Sequence, residues 1–462
     1  MSLLLAALAI IVAGGILALV FCKNHFLSAL FGAGAAFIGC IAGMLPALKS
    51  IYYGDAETVR LAWDIPLGSF FLKLDPLAAF FLLPIFLLSA LVAVYGKEYL
   101  AAYRAKKRLG ISWFLFNVLV VSMAMVCLAH NTVLFLVSWE IMALSSFFLV
   151  AFEYEKEDVR KASWIYMIAS YLGTACLLPM FLILNAGSGP LDFDNFLKSI
   201  SPQTANICFI LALIGFGTKA GIIPFHVWLP VAHPVAPSPV SALMSGIMIK
   251  TGIYGLIRIT TFLGTPPLWW GLLILAIGII SGVLGVLFAL AQHDLKRLLA
   301  YHSIENIGII CIGLGVGLVG WSANMPVVAV LGFAGGLLHV INHALFKGLL
   351  FLGAGSVLHG AHTLEIDHLG GLIKKMPFTG LTFLIGAVAI SGLPPLNGFV
   401  SEFVIYIASF WGATTMNIYP AIPLMGAIAG LALIGGLAAA CFTKAFVIVF
   451  LGEPRTKDAE NV

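Results

Sequence analysis

Five charged side chains stand inside strongly apolar stretches of the sequence, where solubility cannot explain them. They are the acids Glu140 and Glu402 and the bases Lys219, Lys250 and Lys347. A charged group at the centre of a bilayer costs about 2.5–3.5 kcal/mol on insertion scales, so it marks an ion or proton pathway by default. The alternative is a set of structural ion pairs that fix helix packing.

The chemistry of these acids and lysines suits protons. Burial lowers the pKa of a lysine and raises that of a glutamate, whereas an opposite charge nearby reverses both shifts. A lysine whose partner carboxylate approaches and withdraws is therefore a proton site with adjustable affinity. We predict Glu140 and Lys219 to be such a pair.

The stretch GFGTKAGIIPFHVWLPVAHPVAPSPVSALMSGIMIKTG, residues 215–252, predicts a broken helix. Lys219 is followed by Gly221 and Pro224, and further prolines predict irregular backbone as far as Ser241. Irregular backbone at membrane depth is tolerated only within protein or beside a water cavity. We therefore expect water to reach Lys219 at this break.

A second break is predicted in SGLPPLNGFVSEF, residues 391–403. Pro394, Pro395 and Gly398 interrupt this apolar run just before Glu402. Two broken helices, each beside a charged residue, indicate a transporter with internal repeats.

Histidines near the two breaks add further titratable groups. In GLLHVINHALFKGLLFLGAG, His339, His343 and Lys347 are four residues apart, which places them on one helix face over about 12 Å. Three titratable groups in register predict a hydrated proton wire, with structural histidines as the alternative. His226 and His233 lie in the first break or its loop, where they either pass protons or serve structure.

Composition sets the elements that must hold these residues. The chain has 462 residues, of which 61% are hydrophobic and only 10% charged, whereas a soluble domain carries about 25% charge. The predicted class is an all-α polytopic membrane protein with about 13–14 transmembrane helices. Thirteen apolar runs are predicted, at 3–21, 26–48, 70–95, 112–130, 132–152, 161–185, 205–223, 240–263, 268–291, 301–319, 327–356, 378–410 and 421–451.

The runs divide the chain into four predicted regions. Residues 1–111 hold three N-terminal helices, 112–263 and 264–452 are two five-helix repeats, and 453–462 form a tail. A break falls in the fourth span of each repeat. Because each repeat has an odd number of spans, the second is predicted to be inverted relative to the first.

Cation placement predicts the orientation. Most of the 24 Lys and Arg residues lie in alternate connections, at 22–25, 96–111, 153–160, 292–300, 357–377 and after 451. The positive-inside rule then places the N-terminus outside and the tail in the cytoplasm, across the inner (plasma) membrane. The opposite connections hold few cations, namely Lys49, Arg60, Lys73, Lys198 and Arg258. Glu305 is expected at the interface, and Lys444 is expected to snorkel.

No cofactor or metal site is predicted. The seven cysteines are scattered without a CxxC motif, which argues against iron–sulfur, zinc or nickel ligation and against a disulfide framework. Neither GxGxxG nor a P-loop pattern occurs, and nucleic acid is not an expected partner. The chain alone is therefore not expected to be an oxidoreductase.

Five segments resemble the antiporter-like membrane subunits of complex I, of multisubunit sodium/proton antiporters and of group 4 membrane-bound nickel–iron hydrogenases. They are LVSWEIMALSSFFLVAF, the extended 215–252 stretch, HDLKRLLAYHSIENIGII, HVINHALFKGLLFLGAGSV and GLPPLNGFVSEF. YHSIENIG and PPLNGFVSEF look most like the large membrane subunit of hydrogenase 4 and formate hydrogenlyase complexes. The family's usual fourteenth helix has no counterpart among the thirteen runs, so the chain is either a short member or a fragment.

The resemblance implies the proton pathway of the family. Its positions fall on Glu140, Lys219, Lys250, His339, His343, Lys347 and Glu402. Protons would enter from the cytoplasm around Lys219 and Lys250, pass His343 and Lys347, and leave past Glu402. The implied partners are other membrane subunits and a peripheral redox arm of the nickel–iron hydrogenase or complex I type. A subunit of a sodium/proton antiporter is the alternative, and a structural anchor is a third reading.

Overall fold

A computed structural model describes every residue of the chain except 62, 64, 186–188, 197–199, 417 and 461. Lys198, one of the predicted exceptions to the charge pattern, lies outside the described residues. The elements up to residue 220 are α1 (Ser2–Val20), α2 (His25–Tyr53), β1 (Glu57–Leu61), β2 (Phe70–Leu74), α3 (Pro76–Ala101), α4 (Leu109–Leu128), α5 (Thr132–Val150), α6 (Glu157–Leu184) and α7 (Pro202–Ala220).

The remaining elements are also helical. They are α8 (Leu229–Val235), α9 (Ser238–Leu243), α10 (Ile249–Thr260), α11 (Leu268–Leu290), α12 (Leu295–Ser322), α13 (Pro326–Ala361), α14 (Pro377–Ile390), α15 (Asn397–Thr415), α16 (Ile418–Phe450) and α17 (Lys457–Glu460). A π-helical turn, Met244–Met248, joins α9 to α10. Short 3₁₀ turns lie at Ala151–Glu153, Phe193–Asn195, Ile366–His368 and Leu372–Lys374.

Internal contacts divide the chain into two units. Unit 1 comprises Met1–Ala220 and Val235–Leu263, and unit 2 comprises Gly221–Pro234 and Gly264–Val462. The predicted fold class, an all-α polytopic membrane protein, is confirmed, because eleven helices in the described part of the chain are long and apolar enough to span a membrane. Each of the thirteen predicted runs contains a helix. The inverted relation between two five-helix repeats stays a prediction.

In unit 1, a buried polar side chain forms hydrogen bonds between helices. Buried Asn117 on α4 donates to the Ile11 carbonyl of α1 at 3.0 Å and to the Gly32 carbonyl of α2 at 3.2 Å. An amide in the lipid interior has no water to bind, so such bonds hold helices together. β1 and β2 form an antiparallel hairpin ahead of α3.

Unit 2 packs its helices closely through glycine. A β-carbon on Gly308 of α12 would lie 2.4 Å from the Gly282 nitrogen of α11, and one on Gly285 would lie 2.7 Å from the Glu305 nitrogen. Small residues let membrane helices approach until their backbones touch. This close packing fixes the position of Glu305 on the α11 side of α12.

Two predicted boundaries are wrong. The run at 70–95 begins with strand β2, and its helix starts only at Pro76. The run at 301–319 belongs to α12, which begins earlier, at Leu295. Lys296 is therefore buried in a helix rather than placed in a connection, and Glu305 is fully buried rather than interfacial. Polar residues in the first turns of α12 hid the true start from a search for apolar runs.

Both predicted breaks exist, but the first is shorter than expected. Helix α7 ends at Ala220, and the chain is helical again from Leu229. The prediction of irregular backbone as far as Ser241 is wrong, because α8 and α9 are helices. Pro230 and Pro239 occupy first turns, where a missing N–H breaks no helical hydrogen bond.

The second break separates α14 from α15. Gly392 in this break has a φ of 62°, which glycine adopts without steric cost. A β-carbon there would lie 2.5 Å from Glu402 Oε2. Glycine at this position therefore lets the backbone of the break approach the acid.

Candidate functional site

Glu140, on α5 in unit 1, binds a hydroxyl group. Thr174 Oγ1 of α6 donates to Glu140 Oε1 at 2.7 Å, and Glu140 is half-buried. A hydroxyl donor stabilises a carboxylate without neutralising it. Glu140 therefore remains able to pair with a cation that approaches.

Lys219, in the last turn of α7, is held by an aromatic hydroxyl. Its side chain is buried, with the residue 3% exposed, and Nζ donates to Tyr166 Oη of α6 at 2.8 Å. Tyr166 Oη is also hydrogen-bonded to Ser146 Oγ of α5 at 2.5 Å. The ammonium lies 5.8 Å from the ring centroid of Trp139, which adds a cation–π contact.

The predicted ion pair between Glu140 and Lys219 is therefore not formed in this structure. The acid takes its hydrogen bond from Thr174, and the lysine gives its own to Tyr166. Both partners are neutral hydroxyl groups on α6. Proton exchange between Glu140 and Lys219 stays a prediction.

Lys250 lies at the start of α10, immediately after the π-helical turn. It is buried, and its Nζ donates to the Ser245 carbonyl within that turn. A π-helical turn disturbs the regular backbone ladder and is frequent at functional sites. The turn thus gives a buried ammonium a backbone acceptor, a feature that the sequence did not predict.

In unit 2, the predicted stripe on α13 is present. His339, His343 and Lys347 are all fully buried, and the two imidazole rings are stacked with centroids 6.4 Å apart. Lys347 Nζ lies 5.7 Å from the Phe351 ring centroid and has no hydrogen-bond partner among the described residues.

A hydrogen-bonded network joins this stripe to the second break. His339 Nδ1 is bonded to Ser401 Oγ of α15 at 2.9 Å, and its Nε2 to Asn306 Oδ1 of α12 at 3.1 Å. Asn342 Nδ2 donates to Ser401 Oγ at 3.0 Å and to the Asn397 carbonyl at 2.6 Å. The polar chain therefore runs from the start of α15 into the interior of unit 2.

Asn306 connects this network to Glu305, the acid that was expected at the interface. Its Nδ2 donates to the His302 carbonyl at 2.8 Å and to Glu305 Oε2 at 3.3 Å. His302 Nδ1 is hydrogen-bonded to the same carboxylate oxygen. All three side chains are fully buried on α12. The signal that could have found them is the run YHSIEN itself, which has five polar or titratable side chains.

Glu402 lies at the other end of this region, on α15 beside Gly392. It is buried. The structure therefore gathers His339, His343, Lys347 and Glu402 in unit 2, whereas Glu140, Lys219 and Lys250 belong to unit 1.

The two histidines of the first break differ. His233 is fully buried in unit 2, with its ring centroid 5.3 Å from that of Phe351. His226 lies in the break itself and is half-buried. Lys444 is capped by backbone, since its Nζ donates to the carbonyls of Leu290 and Gln292 at 2.9 and 3.1 Å.

Comparison with known proteins decides the family. A family model described as "NADH:quinone oxidoreductase/Mrp antiporter, TM" matches residues 129–426. The chain belongs to this family. All seven predicted proton-site residues lie within the matched region.

Two curated proteins of Escherichia coli K12 are similar to this family member over most of its length. Hydrogenase-4 component B is 41% identical over 432 residues, 92% of this chain and 64% of that protein. Formate hydrogenlyase subunit 3 is 37% identical over 446 residues, 94% of this chain and 71% of that protein. The chain thus spans about two thirds of the length of these relatives.

A solved structure shares the fold of the NADH:quinone oxidoreductase/Mrp antiporter family member. It belongs to the membrane-bound sulfane sulfur reductase, an archaeal respiratory membrane complex. The match has a TM-score of 0.81 at 26% identity and covers 99% of this chain and 72% of that one.

One buried ion pair of this family member joins α10 to the start of α3. Arg258 of α10 donates to both oxygens of Asp75, the N-cap of α3, at 2.6 and 2.7 Å. Asp75 also accepts from the Ala78 nitrogen at 2.8 Å. Although burial alone would raise the pKa of Asp75, the hydrogen bonds and charge of Arg258 hold it below its ordinary value. Arg258, which was expected in a connection, lies in the last turn of α10, so that expectation is wrong.

Proposed function

We propose that this chain is the proton-translocating membrane subunit of a redox-driven respiratory complex in the plasma membrane. The observation that carries the proposal is the network of unit 2, where His339, Lys347, Glu305 and Glu402 lie buried within one polar region. Within it, Lys347 Nζ and Glu305 Oε1 lack hydrogen-bond partners in the described residues, which leaves a base and an acid able to take or give a proton. Names of relatives from hydrogenase and formate hydrogenlyase complexes support a redox partner of that class.

Unit 1 would act as the entry site. Lys219 holds a proton against Tyr166, and Glu140 is held by Thr174. Approach of the acid to the lysine would stabilise the ammonium, and separation would favour release of the proton. Lys250, with its carbonyl acceptor in the π-helical turn, is the proposed next site.

Unit 2 would act as the exit. The proposed order of sites, taken from the sequence, is His343, Lys347 and then Glu402. His339 has both ring nitrogens in hydrogen bonds, so it can take a proton on one nitrogen as it releases one from the other. Residues 112–263 and 264–452 are proposed as the two repeats that carry these functions, with the N-terminus outside and the tail in the cytoplasm.

The test uses membrane vesicles from the host cell with the chromosomal gene replaced by variants. Proton uptake is followed with a pH-sensitive dye after addition of hydrogen, formate or NADH. We expect donor-dependent uptake that Lys219→Ala and Lys347→Ala each lower by at least tenfold while the complex still assembles. Unchanged uptake in both variants would contradict the proposal and favour a structural anchor.

A subunit of a multisubunit sodium/proton antiporter is the second candidate, favoured by the Mrp antiporter part of the family description. The same vesicles separate the two functions. Proton flux that requires sodium and proceeds without an electron donor supports the antiporter, whereas flux that requires the donor and ignores sodium supports the redox-driven pump.

A further inference from the structure

Two buried atoms of opposite charge in unit 2 have no hydrogen-bond partner among the described residues. They are Lys347 Nζ on α13 and Glu305 Oε1 on α12, and both side chains are fully buried. Asn306 links their two helices, because it bonds Glu305 Oε2 through Nδ2 and His339 Nε2 through Oδ1, and His339 lies on the same face of α13 as Lys347. Glu305 and Lys347 form no direct ion pair in the described part of the chain. A buried polar group without a partner is costly in a fixed core, and an acid and a base in this situation are suited to exchanging a proton.

The other groups around Glu305 hold its second oxygen. His302 Nδ1 and Asn306 Nδ2 both bond Oε2, which leaves Oε1 open to a proton. Of the other titratable side chains in unit 2, Glu402 of α15 and Cys441 of α16 are also buried. The Phe442 ring packs on His302 with centroids 4.5 Å apart. Glu305 thus has one oxygen held within α12 and a second oxygen without a hydrogen-bond partner in the described residues.

We infer that Glu305 exchanges a proton with Lys347 and that His302 is the positioning residue that holds its carboxylate. This inference rests on the proposed function and adds an acid to the exit site. The Lys347 ammonium gives one proton to the Glu305 carboxylate, forming a neutral amine and a neutral carboxylic acid, and the reverse transfer restores both charges. No electron moves. The two groups together carry no net charge before or after the transfer, so the exchange adds no net charge to a low-dielectric interior.

The decisive variant is Glu305→Gln, which keeps the shape and the bonds to Oε2 but cannot carry a proton. In the vesicle assay we expect it to lower donor-driven proton uptake by at least tenfold. In infrared difference spectra of the assembled complex, we expect it to remove one carboxylic-acid band, which a structural role would leave in place. Glu98→Gln, which changes an exposed acid, is the matched control and should leave both readouts unchanged.

The outcomes separate this inference from the proposed function. If Lys347→Ala stops uptake while Glu305→Gln supports it at the wild-type rate, only the inference fails. If both variants support wild-type uptake, the proposed function fails. Should Glu305→Gln not assemble, Glu305→Asp keeps an acid but withdraws it by one methylene. Wild-type uptake with an unshifted infrared band in that variant overturns the inference.

An independent feature of unit 1 is a cleft of about 640 Å³ between α4, the end of α5 and the start of α6. Its rim carries Lys106, Arg108 and Arg160, and its wall carries Phe148 and Trp164. Phe148 and Trp164 are more than half exposed. Charged ends of spanning helices with an aromatic wall below them are typical of the level where lipid headgroups meet acyl chains.

The charges of this cleft are only partly used within the chain. Lys107 is paired with Glu155 at 2.6 Å, and this bond lowers the pKa of the exposed acid. Arg160 donates to the carbonyls of Tyr154 and Glu155. Lys106 and Arg108 make no ion pair in the described residues and are exposed. The rim therefore keeps a surplus of positive charge above an apolar wall.

We propose that this cleft binds an anionic phospholipid, with its phosphate at Lys106 and Arg108 and an acyl chain along Phe148 and Trp164. Charge complementarity and the apolar wall together favour a lipid over a soluble anion. Basic residues at a membrane surface contribute about 1 kcal/mol each to binding of anionic lipid, so removal of two should weaken retention about 25-fold.

The complex is purified in detergent, exchanged into nanodiscs of mixed phosphatidylglycerol and phosphatidylcholine, and examined by native mass spectrometry. Wild type should retain phosphatidylglycerol, and the double variant K106Q/R108Q should lose it about 25-fold. The control K374Q/K375Q removes two exposed cations elsewhere and should retain it. The proposal would be overturned by equal loss of lipid in both double variants or by displacement of the lipid by inorganic phosphate alone. A cross-link from Trp164 to another subunit instead of lipid would also overturn it.

Discussion

The acid–lysine sets of the two units satisfy their charges in opposite ways. In unit 1, Glu140 and Lys219 each bind a neutral hydroxyl, from Thr174 and Tyr166. In unit 2, Lys347 Nζ and Glu305 Oε1 are fully buried with no hydrogen-bond partner among the described residues. Unit 1 thus gives each of these groups a hydroxyl partner, whereas unit 2 encloses the two atoms without a hydrogen-bond partner in the described residues.

The difference indicates different tasks for the two sets. A hydrogen bond from or to a hydroxyl stabilises a charged group while its ionic partner is distant, and this suits a gated entry site. A charge held only by the field of a nearby opposite charge responds strongly when that partner gains or loses a proton. Removal of Glu305 or Lys347 in unit 2 should therefore lower proton uptake more than removal of a hydroxyl in unit 1.

The largest effect on proton translocation is expected for Lys347→Ala. It removes the base of unit 2 and leaves Glu305 without its buried cation, so uptake should fall roughly 100-fold, in the range of lost acid–base catalysis. Donor-driven uptake in vesicles, normalised to the amount of assembled complex, measures this. Lys444→Ala, which removes a lysine held by backbone carbonyls, is the control and should retain uptake.

A smaller loss is expected for Tyr166→Phe, which deletes the hydroxyl that binds Lys219. A hydrogen bond to a charged group is worth about 1.5–3 kcal/mol, so uptake should fall about tenfold. Tyr171→Phe alters a half-exposed tyrosine on the same helix and should change nothing. If Tyr166→Phe lowered proton uptake as much as Lys347→Ala, the proposed difference between the two units would be contradicted.

Thr174→Val should cost less again. This change keeps the volume of the side chain and removes the hydroxyl that donates to Glu140. Because Glu140 is only half-buried, water can supply part of the lost hydrogen bond. Uptake should fall about two- to fivefold, within the net range of one ordinary hydrogen bond. A loss comparable to that of Tyr166→Phe would show that Glu140 depends on this hydroxyl more than its exposure suggests.

The smallest effect on translocation is expected at the structural ion pair. Asp75→Asn should destabilise the assembled protein by about 3 kcal/mol, because it leaves Arg258 buried without its anion, yet uptake per assembled complex should not change. Since the folded-state pKa of Asp75 lies below its unfolded value, its stabilisation is present above about pH 4 and is lost as the pH falls through the folded pKa. Thermal unfolding against pH should show this acid-side loss in wild type and a weaker one in the variant.

Much of this arrangement could be predicted from the sequence. Apolar runs located thirteen helical regions, prolines and glycines located both breaks, and four-residue spacing placed His339, His343 and Lys347 on one face. The burial of Glu305 could not be predicted, because α12 starts with polar residues and a hydropathy count places the acid near the end of its span. Hydroxyl partners such as Tyr166 and Thr174 were also missed, since side-chain pairing between helices depends on packing that no local pattern records.

The most direct test compares Glu140→Gln with Glu305→Gln in the same vesicles, as protons taken up per electron transferred. If each unit contributes an acid that carries protons, both variants should lose at least nine tenths of this ratio while the complex assembles normally. Wild-type ratios in both variants would contradict the account of two acid–lysine sets.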